Sequence, residues 1–339
     1  MSVLAPVLAR QAAEVARLSS AIGRRVEVAD LRITDREGVL PLAEPGLTSP
    51  NGACRLCRAA DGWIAVNLAR EEDRELVPAW LRCDFGVEPW AAITDRAATR
   101  PWRGLIADAA LLGLPVAGVG EIACDSLEAP IIGPGAAGIR TGGLTVVDLS
   151  ALWAGPMCGA ILAAAGAAVT KVESTRRPDP TRAWTPEFFA RLNGAKAQLA
   201  FDFASPEGRE RLREEILAAD VVIASARPRG VASLGLSVEE MLAARPGLVW
   251  VAITGYGWTG PDAGRVAFGD DAAAAGGLIG WSAGEPRFLG DALADPVTGL
   301  AAAIGALRAL QDGGGRMVDA ALARSAAGAA AALGLRAAA

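Results

Sequence analysis

Along residues 143–173 the hydrophobic pattern changes period twice. A mostly apolar run from Leu144 to Leu149 is followed by Ala154-Gly155-Pro156, then by mainly small apolar residues to Ala168, and closes on Val169-Thr-Lys-Val-Glu173. Apolar residues that do not alternate with polar ones suit a strand covered on both faces, and a helical crossover of this length joins parallel neighbours. Pro156 fits the first helical turn, where its missing N–H costs nothing. The alternation continues downstream. Strands are expected at Lys196–Phe203, Asp220–Ser225 and Leu248–Thr254. Between them lie helices from Ser205, an N-cap followed by Pro206, to Ala218, and from Ser237 to Ala244. Strands alternating with helices give an α/β fold with a doubly wound, Rossmann-like parallel sheet.

The first third of the chain has a different rhythm. Residues 3–22 read as one amphipathic helix, and Arg25 to Ile33 as a short strand or two. Asp61-Gly62 is a turn signal before a strand from Trp63 to Leu68, and Arg70 to Arg82 mixes charged and apolar residues as a surface helix does. Helices at Pro89–Thr94 and Trp102–Leu112, then the connection from Gly113 through Ala117 to Ile122, complete a small α+β unit. Gly- and Pro-rich residues 129–142 read as a linker. The expected division is 1–128 for the N-terminal segment and small domain, and 143–339 for the large domain.

Composition narrows the chemistry. With 339 residues, 52% hydrophobic and 21% charged, the chain is long enough for two domains and is not a disordered one. A net charge of -5 argues against a nucleic-acid binder, although the local basic clusters Arg176-Arg177 and Arg227-Pro-Arg229 suit a phosphate-rich ligand. Charges come early at the start of the chain and no long uninterrupted apolar run exists, so a cytoplasmic protein without a membrane span is expected. Five cysteines fit that compartment. Cys54-x-x-Cys57 has ligand spacing, but no second pair or histidine completes a zinc site. The chain contains no histidine at all. Ser-His-Asp and Cys-His catalysis, and any histidine base, are thereby excluded. Glu173 stands where dinucleotide folds place a ribose-binding acid, yet Gly155 and Gly159 do not make G-x-G-x-x-G, which argues against a nicotinamide or flavin site.

Asp148-Leu-Ser with Ala154-Gly155-Pro156, Gly166-Ala-Ala-Val-Thr-Lys171-Val-Glu173, Asn193-Gly-Ala-Lys196, Ala219-Asp220-Val-Val, Gly235-Leu, Pro246-Gly-Leu-Val and Thr254-Gly-Tyr-Gly-Trp-Thr-Gly260-Pro occur in this order. Together they resemble the class III CoA-transferases, the CaiB/BaiF family, which includes formyl-CoA and carnitine CoA-transferases and α-methylacyl-CoA racemases. The likeness runs from Gly143 to about Ala323. Asp61 through Val119 resembles the family's small domain, which there follows the first part of the large domain; the order here implies a circular permutation. The resemblance also implies an interlocked homodimer, acyl-CoA and a carboxylic acid as substrates, and no permanently bound cofactor.

In that family an aspartate before an alanine-rich helix is the nucleophile, and Ala294-Asp295-Pro-Val-Thr298-Gly299 matches its context. Asp before Pro is equally a good helix N-cap. The resemblance gives Asp295 a path through a mixed anhydride and an aspartyl-CoA thioester. It suggests Trp153, Ala154, Lys171, Glu173, Arg176, Lys196, Arg229 and Arg265 for CoA, and Gly276-Gly277 as a loop stabilising the oxyanion. Asp270-Asp271 is the rival acid pair, otherwise read as a solvated turn or cap. Gly269 stands where racemases carry histidine, so a racemase has no base here. Trp153 replaces a glutamine and Ser233 an arginine of the family pattern. The remaining alternative is a CoA-binding relative without turnover.

Overall fold

The computed structural model describes residues 3–135 and 143–335. Three antiparallel strands come first, β1 (Cys54–Ala59), β2 (Gly62–Asn67) and β3 (Val116–Gly118), in the spatial order β1-β2-β3. Helices Pro89–Ala97 and Trp102–Leu112 cover them, and Ile64, Trp80, Ile93 and Leu105 form this unit's own core. Val116–Gly118 was expected as a connection. It becomes a strand because its backbone completes the free edge of β2.

Seven strands make the main sheet: β4 (Ile131–Ile132), β5 (Thr145–Asp148), β6 (Ala168–Ser174), β7 (Ala197–Phe201), β8 (Val221–Ala224), β9 (Val249–Thr254) and β12 (Arg316–Ala321). A separate hairpin, β10 (Gly280–Ser282) and β11 (Glu285–Arg287), lies between β9 and β12 in the chain. The order β4-β12-β9-β8-β5-β6-β7 is parallel except for β4. Counted from β5, the parallel strands read 3-2-1-4-5-6, the doubly wound arrangement expected from the pattern. All residues of the central strands β8 and β9 are buried, which is why their sequences show no alternation. Val146, Val221 and Val249 face one core with Met157, Ile161 and Leu300. Val147, Val222 and Trp250 face the other with Leu212, Ile216 and Met241.

Several expectations change. Arg25–Ile33 contains no strand; Val28–Leu31 is a short helix closed by Arg32 at φ 53°, and Val26, Val28 and Ile33 fold inward without a partner strand. The helix at Arg70–Arg82 splits into Glu71–Glu75 and Val77–Leu81, because Pro78 has no N–H to continue the ladder. Ile131–Ile132, within the expected linker, pair with Val318 and Met317 as an edge strand; linker residues 136–142 lie outside the described part. Helix Ala5–Ile22 packs on helix Ala294–Gln311, where Gln11 donates to the Val297 carbonyl at 3.1 Å and Gln311 to the Leu18 carbonyl at 3.2 Å. The small unit docks through the N–H groups of Gly120 and Ile122, which donate to the carbonyls of Ala274 and Ala275, each at 2.9 Å. No helix among the described residues is long and apolar enough to cross a membrane.

Candidate active site

Asp295 lies where two helices start. Its own helix, Ala294–Gln311, has Leu293 at the N-cap, so Asp295 sits inside the first turn and makes no cap bond to it. The simple N-cap reading of Asp-Pro is thereby corrected. Instead, the N–H of Ala154, first residue of helix Ala154–Ala164, donates to Asp295 Oδ1 at 3.3 Å. Both N-termini favour negative charge at this point. The close approach depends on Gly299, where a Cβ would stand 2.9 Å from the Ala154 carbonyl oxygen and 2.8 Å from Met157 Sδ. The other oxygen, Oδ2, accepts no hydrogen bond among the described residues. It is flanked by Gly269, where a Cβ would come within 2.0 Å of it. A histidine at 269, as in the racemases, has no room in this backbone.

Arg36, Asp270 and Asp291 are the charged neighbours of the carboxylate, and Asn51 ties the two aspartates together. Arg36 makes a two-bond ion pair with Asp291 at 2.7 and 2.8 Å and stacks over Trp153 at 4.9 Å. Asn51 donates to Asp270 Oδ2 at 2.6 Å and to Asp291 Oδ1 at 2.7 Å. The Ala292 N–H, on a residue held at φ 46°, donates to Asp270 Oδ1 at 2.7 Å. Burial raises the Asp295 carboxyl to about 7, opposed by Arg36 and the Ala154 N–H and reinforced by Asp270 and Asp291. Burial likewise raises Asp270 to about 6, with Asp291 adding to it and Asn51 opposing. The result is a carboxyl that is half protonated near neutrality, with its charge balanced by one arginine and one backbone donor.

Asp270 and Asp271 are not a solvated turn. They are 3% and 0% exposed. Asp271 accepts from the Phe268 N–H at 3.0 Å and from Asn67 at 2.9 Å, and burial raises it to about 7. It thus caps helix Gly269–Ala275 and ties it to β2.

The other expected site residues separate into two groups. Lys196 is buried, and its three donors go to Asp148 at 2.7 Å, the Pro156 carbonyl at 2.8 Å and Asn193 at 2.8 Å. Lys171, also buried, bonds the Ser150 carbonyl at 2.7 Å and pairs with Asp179 at 3.1 Å. Glu173 holds Arg182 and the Asp179 N–H. Arg265 stacks on Tyr256 and binds Glu121 at 2.6 Å, locking the two units together. These four were expected to face CoA, but each is already satisfied within the protein, since an unpaired charge could not stay buried there. Trp153 is a wall of the site: its N–H goes to the Ile33 carbonyl at 2.8 Å, and Phe188 meets its ring edge-on. Gly276-Gly277 ends helix Gly269–Ala275 at the far end from Asp270. Gly276 packs on the backbone of Ala323–Ala327 and Gly277 turns at φ 72°, so Ala154, not this pair, supplies the backbone donor beside Asp295. Arg176, exposed and paired with Asp202, and Arg229, exposed, stand beyond the carboxyl ends of β6 and β8. Arg227, which donates to the Gly264 carbonyl at 2.7 Å, neighbours Arg229. Arg36, Asn51 and Asp291 were not expected. Nothing in their local sequence marks them; residues 36 and 51 are more than two hundred positions from 291.

Cys54 and Cys158 are buried with thiols pushed up by burial, Cys158 beyond the usual range. Among the described residues no group of three metal-ligating side chains is assembled.

A sequence model of the family described as CoA-transferase family III matches residues 142–337. The chain is 34% identical over 174 residues to a succinate–glutarate CoA-transferase of Agrobacterium fabrum, covering 47% of this chain and 44% of that protein. It is 31% identical over 224 residues to succinyl-CoA:glutarate CoA-transferase of Mus musculus, covering 63% and 48%. A solved CaiB/BaiF family protein from Brucella suis superposes with a TM-score of 0.52 at 36% identity, covering 56% of this chain and 55% of that one. The chain therefore spans less than half the length of these curated relatives.

Proposed function

Because the chain belongs to CoA-transferase family III, we propose that it moves CoA from an acyl-CoA to a carboxylic acid, with Asp295 as the covalent nucleophile. The observation that carries this reading is the division of labour between the two oxygens of Asp295: Oδ1 is held by the Ala154 N–H, and Oδ2 accepts no hydrogen bond among the described residues, in a half-buried setting that raises its pKa. A carboxylate is a weak nucleophile in water, and partial desolvation with fixed orientation is what it needs.

In the proposed sequence Oδ2 attacks the thioester carbonyl, the C–S bond breaks, and CoA leaves as thiolate from a mixed anhydride. The thiolate attacks Cγ of Asp295 and expels the donor carboxylate, leaving an aspartyl-CoA thioester. The acceptor carboxylate attacks Cγ in turn and releases the thiolate, which takes the acceptor's acyl group and frees Asp295. Each attack on Cγ places charge on Oδ1, where the Ala154 N–H at a helix N-terminus acts as oxyanion donor. No step requires net proton uptake, so a chain without histidine can run it. Arg176, which follows β6, and Arg227 and Arg229, which follow β8, stand after strands on either side of the β5–β8 switch point and are proposed to meet the CoA phosphates. The relatives' names make succinyl-CoA the first donor to try, with glutarate as acceptor.

Incubation with a panel from acetyl- to succinyl- and branched acyl-CoA is expected to leave CoA on the peptide containing Asp295, visible as intact mass and removed by hydroxylamine. Its formation should rise with pH through about 7 as the carboxyl ionises. Asp295→Asn should form no adduct and exchange no CoA. Persistent exchange in that variant would remove the chemistry from Asp295, and CoA binding without any adduct in the wild type would identify a non-catalytic relative.

A further inference from the structure

The residue before Trp153 is strained. Leu152 has φ 70°, a left-handed conformation that a non-glycine residue adopts only when its surroundings impose it. Trp153 follows at φ -130°, ψ -67°, and the next N–H, that of Ala154, points to Asp295. What imposes the turn is visible at Ser150 and at the Leu152 N–H. Lys171 Nζ donates to the Ser150 carbonyl at 2.7 Å and pairs with Asp179 at 3.1 Å. The same Asp179 carboxylate accepts the Leu152 N–H, with both oxygens at 3.3 Å, and is itself fixed by the Thr181 N–H and hydroxyl at 3.1 and 2.6 Å. Lys171 and Asp179 are buried, so the clamp lies outside bulk water. An ion pair this far from solvent contributes little net stability over an apolar pair, while it fixes geometry closely.

We propose that Lys171 and Asp179 are positioning residues, which hold Ser150 to Leu152 in the left-handed turn and thereby aim the Ala154 N–H at Oδ1 of Asp295. This rests on the assignment of Asp295 as nucleophile, and it gives the Lys171 charge a task other than meeting CoA. Without the clamp, Leu152 relaxes out of the left-handed region and carries the Ala154 N–H away. Asp295 then loses the donor that stabilises both its ionised form and the oxyanion on Oδ1. Its remaining charged neighbours, Arg36, Asp270 and Asp291, are untouched by the change.

Lys171→Met keeps the length of the side chain without its donors. It is expected to slow single-turnover adduct formation at least tenfold at saturating acyl-CoA, with little change in the acyl-CoA concentration for half-maximal rate. It should also raise the Asp295 titration midpoint, followed by NMR of carboxyl-labelled aspartate against Asp295→Asn. Adding Leu152→Gly removes the strain that drives the turn open, because glycine accepts φ 70°, so the double variant should recover part of the rate and of the midpoint. If Lys171→Met does not fold, Asp179→Asn alone and with Leu152→Gly gives the same comparison. An unchanged Asp295 midpoint in the clamp variant, or a double variant worse than either single one, overturns the proposal. Should the wild type form no adduct, the transferase reading fails while the titration still decides whether the clamp aims the N–H.

Discussion

At the scale of single residues, burial raises the carboxyls of Asp270, Asp271 and Asp295, and this has a consequence for stability. Asp271 is raised to about 7, mainly by burial, from an ordinary value near 4 in the unfolded chain. A group whose folded pKa is raised stabilises the fold most fully below the unfolded value, and that contribution is lost as pH rises through the folded one. The wild type should therefore lose melting temperature between about pH 4 and pH 7. Asp271→Asn, which does not titrate and retains an oxygen for Asn67 and the Phe268 N–H, should show a shallower decline. Asp270 and Asp295 have the same sign, so the slope should shrink without vanishing. An Asp271→Asn melting curve that falls as steeply as the wild type's would contradict the burial of its charge.

At the scale of elements, the geometry at Asp295 depends on how closely helix Ala294–Gln311 meets helix Ala154–Ala164. Gly299 permits that contact, and Gly155 does the same for the turn, since a Cβ there would lie 2.3 Å from Ser150 Cβ. In an isolated helix Gly→Ala is stabilising by about 1 kcal/mol. At 299 the added methyl meets a backbone carbonyl, which cannot turn aside as a side chain can. Gly299→Ala is therefore expected to destabilise by about 1–3 kcal/mol, and to slow adduct formation more than the stability loss explains, by parting Ala154 from Asp295. Calorimetry alongside single-turnover kinetics checks both; a stabilised, fully active variant would show that the helices have slack.

At the scale of the whole molecule, the site is assembled across the chain. The N-terminal segment supplies Arg36 and Asn51, the helix after β5 supplies Ala154, and the helix after β11 supplies Asp295. We propose, as the family resemblance implies, that two chains interlock as a homodimer and that the small unit stands in permuted order relative to other members. Sedimentation at micromolar concentration should give a dimer; a monomer would require each chain to hold a complete site alone. Arg265 with Glu121 and Tyr256 is the polar lock between the units of one chain.

The alternation of strands and main helices from residue 144 to 254 was legible because those elements announce themselves locally: uninterrupted apolar runs for central strands, Ser205 and Ser237 as caps, proline at helix starts; the hairpin β10–β11 and strand β12 were not read. Asp295 is proposed from its surrounding motif. The sequence could not say which charged groups face outward, because burial depends on what packs against them, and so Lys171, Lys196, Glu173 and Arg265 read as ligands until their partners were seen. Nor could it reveal Arg36, Asn51 and Asp291, which meet only after distant segments fold together, or the strained turn at Leu152, whose conformation no local propensity favours. Secondary structure follows from neighbours in sequence. The pKa of Asp295, its backbone donor and its charged surroundings follow from neighbours in space, and only the tertiary fold decides those.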